Sequence, residues 1–468
     1  MFSAFSAPSA HRRGAARLAA ATLVSGLVAA GPLATADVAA ADGTPQTEGG
    51  ATATIGDLKV YGAAVIHGAG RDEQVRAGLF EMSVDNGGTL QTYCIDVHNP
   101  TQKDAKYHET SWSGTSLSGN KNAGKIRWIL RNSYPQVNDL AALAAKAGAA
   151  GLTEQDAAAG TQVAIWRYSD GAHVDAVDPR AEKLADYLEK QALKLPEPAA
   201  SLALDPPAVS GHPGGRLGPV TVHTNADSVT VTPPADAATS GVKVVDKDGK
   251  KITSAVDGSR IYFQVPKRAQ DGSAALTVQA STTVPVGRAF VSESRSQTQI
   301  LAGSSESTVA ATATAGWAAK GPIPALSAER DCARGSVDIT AVNKGDAAFT
   351  FELMGAEHTI PASHSQTVAI ALQEDQAYDF TIKGPGGYRE WFKGVLDCKT
   401  ESSTGGLTAQ TLSQPSPATV GGTAPADTNL AETGSSNTTP IITGTAIGLV
   451  LIGGAALLLI RKKTPARD

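Results

Sequence analysis

From residue 200 to residue 400 the chain is written in short runs with a period of two, and this pattern constrains its fold more than any other feature. Successive side chains on a strand point to opposite faces, so alternating apolar and polar residues mark half-buried strands. Val220-Thr221-Val222, Val229-Thr230-Val231, Val242-Lys243-Val244, Ile261-Tyr262-Phe263-Gln264-Val265 and Leu276-Thr277-Val278 carry the pattern. Turn clusters such as Asp246-Lys247-Asp248-Gly249 and Val256-Asp257-Gly258-Ser259 separate these runs. That spacing predicts an antiparallel β-sandwich over 200–318. Residues 326–400 repeat the pattern in Val337–Thr340, Phe349–Leu353, Val368–Leu372 and Tyr378–Ile382, which predicts a second, smaller sandwich. Cys332 opens this unit and Cys398 closes it, a placement that predicts a disulfide pinning its first and last strands.

Upstream, residues 52–199 mix two periods. Leu79 to Val84 and Leu90 to Val97 read as the arms of a hairpin turned at Asn86-Gly87-Gly88, with Asn99-Pro100 ending the second strand. Helical patterns follow at Lys125 to Arg131, Asn138 to Gly148 and Pro179 to Leu195, the last with proline in its first turn. Another helix opens at Leu152-Thr153-Glu154-Gln155-Asp156, where Thr153 and Asp156 have capping-box spacing. Its next residues, Ala157-Ala158-Ala159-Gly160, are small enough to let a neighbouring strand come close. An α+β domain is the expectation here.

At 468 residues the chain exceeds what one hydrophobic core organises, consistent with several units. A net charge of −5 leaves no basic surface, which excludes nucleic acid as a partner class. Three cysteines in an exported chain leave at least one thiol outside any intramolecular disulfide.

Export is read from residues 1–36. Arg12, Arg13 and Arg17 precede the apolar stretch Leu18 to Gly31 and the small-residue site Ala34-Thr35-Ala36, with a second candidate at Ala39-Ala40-Ala41. At the other end, residues 401–429 have Ser/Thr/Gly/Ala/Pro linker composition. Leu430-Ala431-Glu432-Thr433-Gly434 then resembles the LAxTG form of a sortase signal. Ile441 to Ile460 follows without a charge, about 30 Å as a helix and enough for one bilayer core. The basic tail 461–468 begins with Arg461-Lys462-Lys463, a cytoplasmic stop. The resemblance implies cleavage between Thr433 and Gly434 and transfer of the Thr433 carbonyl to peptidoglycan precursor. Alanine at its second position points to the sortase class of high-GC actinobacteria.

Two motifs carry the chemistry. Tyr93-Cys94-Ile95-Asp96 lies on the return strand of the hairpin, and Thr161-Gln162-Val163-Ala164-Ile165-Trp166 lies on the capped helix. A YCID-type strand followed by a TQxA-type helix start resembles the thioester domains of Gram-positive surface adhesins. The resemblance implies a thioester between the Cys94 thiol and the Gln162 carbonyl, formed with loss of ammonia. An amine on a partner surface, such as a lysine, would attack that carbonyl, leave a covalent amide and release the thiol. Formation needs proximity and donors aimed at the carbonyl oxygen, while the finished bond needs shielding from water. Thr161, Ala164 and Trp166, with Tyr93 and Asp96, are read as packing and positioning residues. Each chain would react once, without turnover and without a cofactor.

Two other readings stand beside this one. A passive wall spacer would leave Cys94 reduced and Gln162 structural. A cysteine hydrolase would need one of His67, His98, His108 or His173 beside Cys94, but no protease signature accompanies the cysteine. These histidines show no metal-ligand spacing with cysteines, so no metal is expected. The combined expectation is an α+β thioester head (52–199), two all-β sandwich domains (200–318 and 326–400), a flexible linker and a C-terminal transmembrane helix.

Overall fold

The computed structural model describes residues 46, 48–68 and 70–400. The expected signal (1–36), linker (401–429), sortase motif (430–434), membrane helix (441–460) and tail (461–468) lie outside the described residues. Among the described residues no helix is long and apolar enough to cross a membrane.

An N-terminal mixed α/β region is followed by largely β-sheet regions. The first strands are β1 (Thr52–His67), β2 (Asp72–Val84), β3 (Thr89–Cys94) and β4 (Lys106–Thr110). Then come α1 (Ala123–Asn132), α2 (Leu140–Ala147), α3 (Glu154–Ser169), β5 (Val174–Ala176) and α4 (Pro179–Gln191). The capping box forms as the spacing predicts, with Thr153 and Asp156 each bonding the other's backbone N–H. Gln162 therefore lies two turns inside α3 rather than at its start. The small residues of α3 serve two neighbours. Ala159 faces Gly62 on β1, whereas a Cβ added at Gly160 would fall 2.4 Å from the Ala181 carbonyl on α4.

The next stretch holds β6 (Leu202–Asp205), β7 (Ala208–Gly211), β8 (Arg216–Thr224), β9 (Val229–Thr232) and the one-turn α5 (Ala237–Ser240). It continues with β10 (Lys243–Val245), β11 (Ser254–Ala255), β12 (Arg260–Gln264), β13 (Gly272–Thr283), β14 (Ala289–Ser292), β15 (Gln299–Ser304) and β16 (Glu306–Trp317). A four-stranded sheet, β10-β12-β8-β6, and a five-stranded sheet, β11-β9-β13-β16-β7, face one core that includes Val222, Phe263, Leu276 and Val309.

The expected boundary at 199/200 does not separate two sheets. β14 and β15 leave the sandwich and return to the first region, giving the order β2-β3-β15-β14-β4-β1-β5. Because β1 pairs with both β2 and β4, six of these strands close into an antiparallel ring, which removes free edges. The physical reason is visible in the sequence of the returning strands. Ala289-Phe290-Val291 and Ile300-Leu301-Ala302 are continuous apolar runs, as strands covered on both faces require. Ala289, Ile300 and Ala302 join the helix-side core, while Phe290 and Leu301 join the sandwich core.

A buried ion pair fastens the return. Glu109 on β4 accepts from Arg288 Nε at 2.9 Å, from Ser201 N at 2.9 Å and from Ala51 N at 3.1 Å. It also accepts from the Ser201 hydroxyl, and Arg288 reaches Glu197 at 3.0 Å. The carboxylate is thus bonded on both oxygens to three other chain segments, around Ala51, Ser201 and Arg288.

The C-terminal unit contains β17 (Pro324–Asp331), β18 (Ser336–Asn343), β19 (Phe349–Leu353), β20 (Ala356–Ile360), β21 (Ser365–Ala371), β22 (Gln376–Lys383) and β23 (Arg389–Leu396). The sheet β17-β18-β21 and the hairpins β19-β20 and β22-β23 surround a core rich in phenylalanine. The Cys332–Cys398 disulfide forms as expected and closes a loop with a separation of 66 residues. The chain-entropy model assigns such a loop about 4 kcal/mol of stabilisation. Two carboxyls hold this unit to the preceding one. Asp397 accepts from the Thr298 hydroxyl at 2.7 Å, and Glu390 accepts from the Thr314 hydroxyl at 2.6 Å.

Burial, partly offset by the threonine bonds, pushes both Asp397 and Glu390 up to about 7. A folded-state pKa raised above its unfolded value contributes stability that is complete below the unfolded value and is lost as pH rises through the folded one. The unfolding midpoint should therefore fall as pH rises from about 5 to 8. The Asp397→Asn/Glu390→Gln double variant should flatten that slope; an unchanged slope would remove the assignment. Glu109→Ala strands the buried Arg288 charge and should cost about 3–5 kcal/mol in denaturant unfolding.

Candidate thioester site

Cys94 ends β3, and the geometry around it follows from how that strand loses its neighbour. β2 pairs with β3 only from Ser83↔Thr89 to Phe80↔Thr92, then continues against β1 alone. The backbone of Cys94 is left without a strand on that side, in a buried place where unpaired N–H and C=O groups are costly. Gln162 fills the gap. Its Oε1 accepts from Cys94 N at 3.0 Å and its Nε2 donates to Cys94 O at 2.9 Å. The carboxamide acts as one rung of a missing strand.

The expectation joined the Gln162 carbonyl to the Cys94 sulfur, whereas in the structure this carboxamide bonds the Cys94 backbone. Sequence reasoning correctly placed its carboxamide beside the cysteine, but the group serves the backbone and has both ends occupied. The glutamine facing the sulfur is Gln299, the first residue of β15. β3 and β15 are antiparallel with Cys94 directly opposite Gln299. Since the N–H and C=O of Cys94 point to Gln162, this is a non-hydrogen-bonded pair, the kind whose side chains lie closer. Gln299 Nε2 lies 3.2 Å from Cys94 Sγ, and its Oε1 accepts from the Thr92 hydroxyl at 3.0 Å. Thr92 and Gln299 are fully buried, and Cys94 is 3% exposed.

The surrounding residues hold this pair in place. Ile95 N donates to Thr298 O at 3.2 Å, continuing the ladder beyond Cys94. Gln297 donates to Asp96 O and accepts from the Thr101 hydroxyl at 2.8 Å. The Tyr107 hydroxyl bonds Ser296 Oγ at 2.7 Å and Gln297 O at 2.8 Å. Asp397 of the C-terminal unit grips Thr298, next to Gln299.

The motif neighbours pack or position, as expected. Tyr93 donates its buried hydroxyl to Tyr134 O at 2.9 Å, and Thr161 turns its hydroxyl to Ala157 O at 2.7 Å in its own helix. Ala164 and Trp166 are buried in the helix-side core. Asp96 is buried and accepts from His98 N at 3.2 Å.

The electrostatics favour a neutral site. Burial pushes the Cys94 thiol up to about 12, against lowering by its contacts with Gln299 and Thr101. Asp170, which accepts from Val97 N at 3.0 Å, is pushed by burial to about 8. No histidine stands as a base at the sulfur among the described contacts. His108 bonds Thr52 and Glu293, and His67 bonds Asp72 and Asp175. The side chain that meets the Cys94 sulfur among the described contacts is the Gln299 carboxamide. Glu374, Asp375 and Asp397 bring ligand-type atoms together elsewhere, but Asp397 is engaged by Thr298 and Glu374 by the Cys398 and Lys399 N–H groups.

Sequence reasoning missed Thr92, Gln297, Asp170 and, above all, Gln299. The available signal was the apolar run Ile300-Leu301-Ala302 beginning with a glutamine, a pattern unlike the alternation of the sandwich strands around it.

Comparison with known proteins gives matches to two family models. Residues 91–194 match the family model described as Thioester domain, and residues 324–395 match one described as Bacterial phospholipase C, C-terminal domain. No curated protein matches the chain. Among solved structures, the Bacillus anthracis TIE protein is similar over 75% of this chain and 82% of its own, at 13% identity and a TM-score of 0.26. The thioester domain of the Enterococcus faecium TIE86 protein is similar over 57% and 96%, at 15% identity and a TM-score of 0.28. An N-terminal thioester domain of a surface protein from Clostridium perfringens is similar over 28% and 78%, at 21% identity and a TM-score of 0.20. Residues 91–194 are thus similar to the thioester-domain family, and the Cys94–Gln299 contact places a thiol against a carboxamide, the two groups that an internal Cys–Gln thioester requires.

Proposed function

We propose that Cys94 and Gln299 form the thioester and that the carbonyl carbon of Gln299 is the atom a partner amine attacks. The observation that carries this reading is the buried contact of 3.2 Å between Gln299 Nε2 and Cys94 Sγ. In formation, sulfur bonds to the side-chain carbonyl carbon, the C–N bond breaks, and the thiol proton leaves with the nitrogen as ammonia. A thiol held up to about 12 supplies that proton to the nitrogen it touches, so no separate base is required for the balance. In capture, an amine nitrogen bonds to the same carbon, the C–S bond breaks, and the sulfur leaves as a thiol. The amide then joins the partner to residue 299.

The partner class is an amine-bearing molecule, with a lysine side chain on a surface protein as the fitting protein example. Residues 1–36 would direct export, sortase would cut between Thr433 and Gly434, and peptidoglycan would receive the new C-terminus. The span 441–460 would hold the chain in the membrane before that cut. Alanine at position 431 supports an anchor of the actinobacterial type. The C-terminal unit, residues 324–400, would lie between the strand bearing Gln299 and the wall anchor.

Intact mass and adduct mapping test the chemistry. The wild-type chain should be one ammonia lighter than its sequence mass and should gain methylamine on the peptide containing Gln299. Gln299→Ala should have its full sequence mass and a thiol at Cys94 that titrates after unfolding. Gln162→Ala should lose about 1–3 kcal/mol of folding stability through the unpaired Cys94 backbone, and its label should still map to Gln299. A methylamine adduct at Gln162 would overturn the assignment. Thr433→Ala should leave the protein in the membrane fraction, whereas unchanged wall attachment would remove the sortase step.

A further inference from the structure

We infer that Thr92 is a catalytic hydrogen-bond donor for the Gln299 carbonyl, acting both when the thioester forms and when an amine opens it. The inference rests on the reading of Cys94 and Gln299 as the linked pair and assigns a residue that this reading leaves without a role. Addition to a carbonyl places negative charge on its oxygen, and a fixed donor aimed at that oxygen in a dry site lowers the barrier. The Thr92 hydroxyl donates to Gln299 Oε1 at 3.0 Å, and both residues are fully buried.

The backbone fixes this aim. Thr92 and Cys94 are two residues apart on β3 and so share a face, with Gln299 directly opposite Cys94. Nucleophile and donor therefore approach one side chain from adjacent positions of a single strand. A threonine side chain is also stiff at χ1, which limits the reorganisation needed as charge develops. When sulfur adds to the carbonyl carbon, the oxygen takes the developing charge and the hydroxyl's hydrogen bond strengthens. When the intermediate collapses, nitrogen departs with the thiol proton and the oxygen returns to a neutral carbonyl. The threonine keeps its own proton throughout. Attack by an amine passes through the same oxygen charge, with sulfur as the leaving atom. The Tyr107 hydroxyl bonds Ser296 and Gln297 and also interacts with the Gln299 side chain from the neighbouring strand, whereas the Gln162 carboxamide is committed to Cys94; the hydrogen bond to Gln299 Oε1 comes from Thr92.

The test compares the full chain with Thr92→Val and Thr92→Ser by intact mass during maturation and by the rate of methylamine addition. Thr92→Val keeps the shape and removes the donor; both rates should fall on the order of a hundredfold. Thr92→Ser keeps the donor and should stay within a few-fold of wild type. Wild-type rates for Thr92→Val, or a Thr92→Ser chain as slow as Thr92→Val, would overturn the inference. If Thr92→Val does not fold, the wild type carries the decision. Its thioester carbonyl stretch, isolated by carbon-13 labelling of glutamine, should lie below that of a simple thioester in hydrocarbon solvent. A stretch at the unbonded frequency would overturn the role. A wild type with full sequence mass would instead defeat the underlying thioester reading, a result distinct from a loaded wild type with an indifferent Thr92→Val chain.

Discussion

The register between β3 and β15 is the constraint on which the site depends. Side chains change faces at every residue, so a slip of one position would turn Gln299 away from Cys94. Several features hold that register against slippage. Ile95 and Thr298 continue the ladder, Gln162 holds the outer side of Cys94, and Asp397 holds Thr298. The ion pair of Glu109 and Arg288 secures the strand next to β15. Helix α3 matters chiefly because its capping box and small residues set the depth at which Gln162 arrives.

Burial works in two directions at this site. It makes the free thiol a poor acid, which would defeat chemistry that begins with an isolated thiolate. It also excludes the water that would hydrolyse a finished thioester. Proximity resolves the conflict, because the atom receiving the proton is the nitrogen that leaves. The arrangement suits a reaction performed once within a folded chain better than repeated turnover on a diffusing substrate.

Much of the fold was legible in the sequence. The hairpin turn at Asn86-Gly87-Gly88, the four helices of the first region and the alternating strands are local patterns, and they appear as those patterns require. The cysteine pairing was legible because Cys332 and Cys398 bracket a unit with its own core. The return of β14 and β15 was harder to read, since a doubly covered apolar run does not name its partners. Gln162 shows the limit most clearly. The motif resemblance carried the expectation of a carboxamide beside Cys94, but the need of a backbone and the need of a sulfur look alike in one dimension. Only the departure of β2 after Phe80 distinguishes them, and that departure is a tertiary event.

Joining a partner at residue 299 rather than 162 changes how the proposed attachment would bear tension. A pull between the captured surface and the wall would enter the main chain at Gln299 and leave toward residue 400. Everything N-terminal to β15, including all four helices of the first region, would lie outside the direct covalent load path. The Cys332–Cys398 disulfide would carry the load past most of the C-terminal unit as a shortcut. The stretch able to extend would then be 299–332, much of it held as β16 by its long antiparallel pairing with β13. After capture, the Cys94–Gln299 bond is gone, so the resistance of that stretch would come from strand pairing and packing alone.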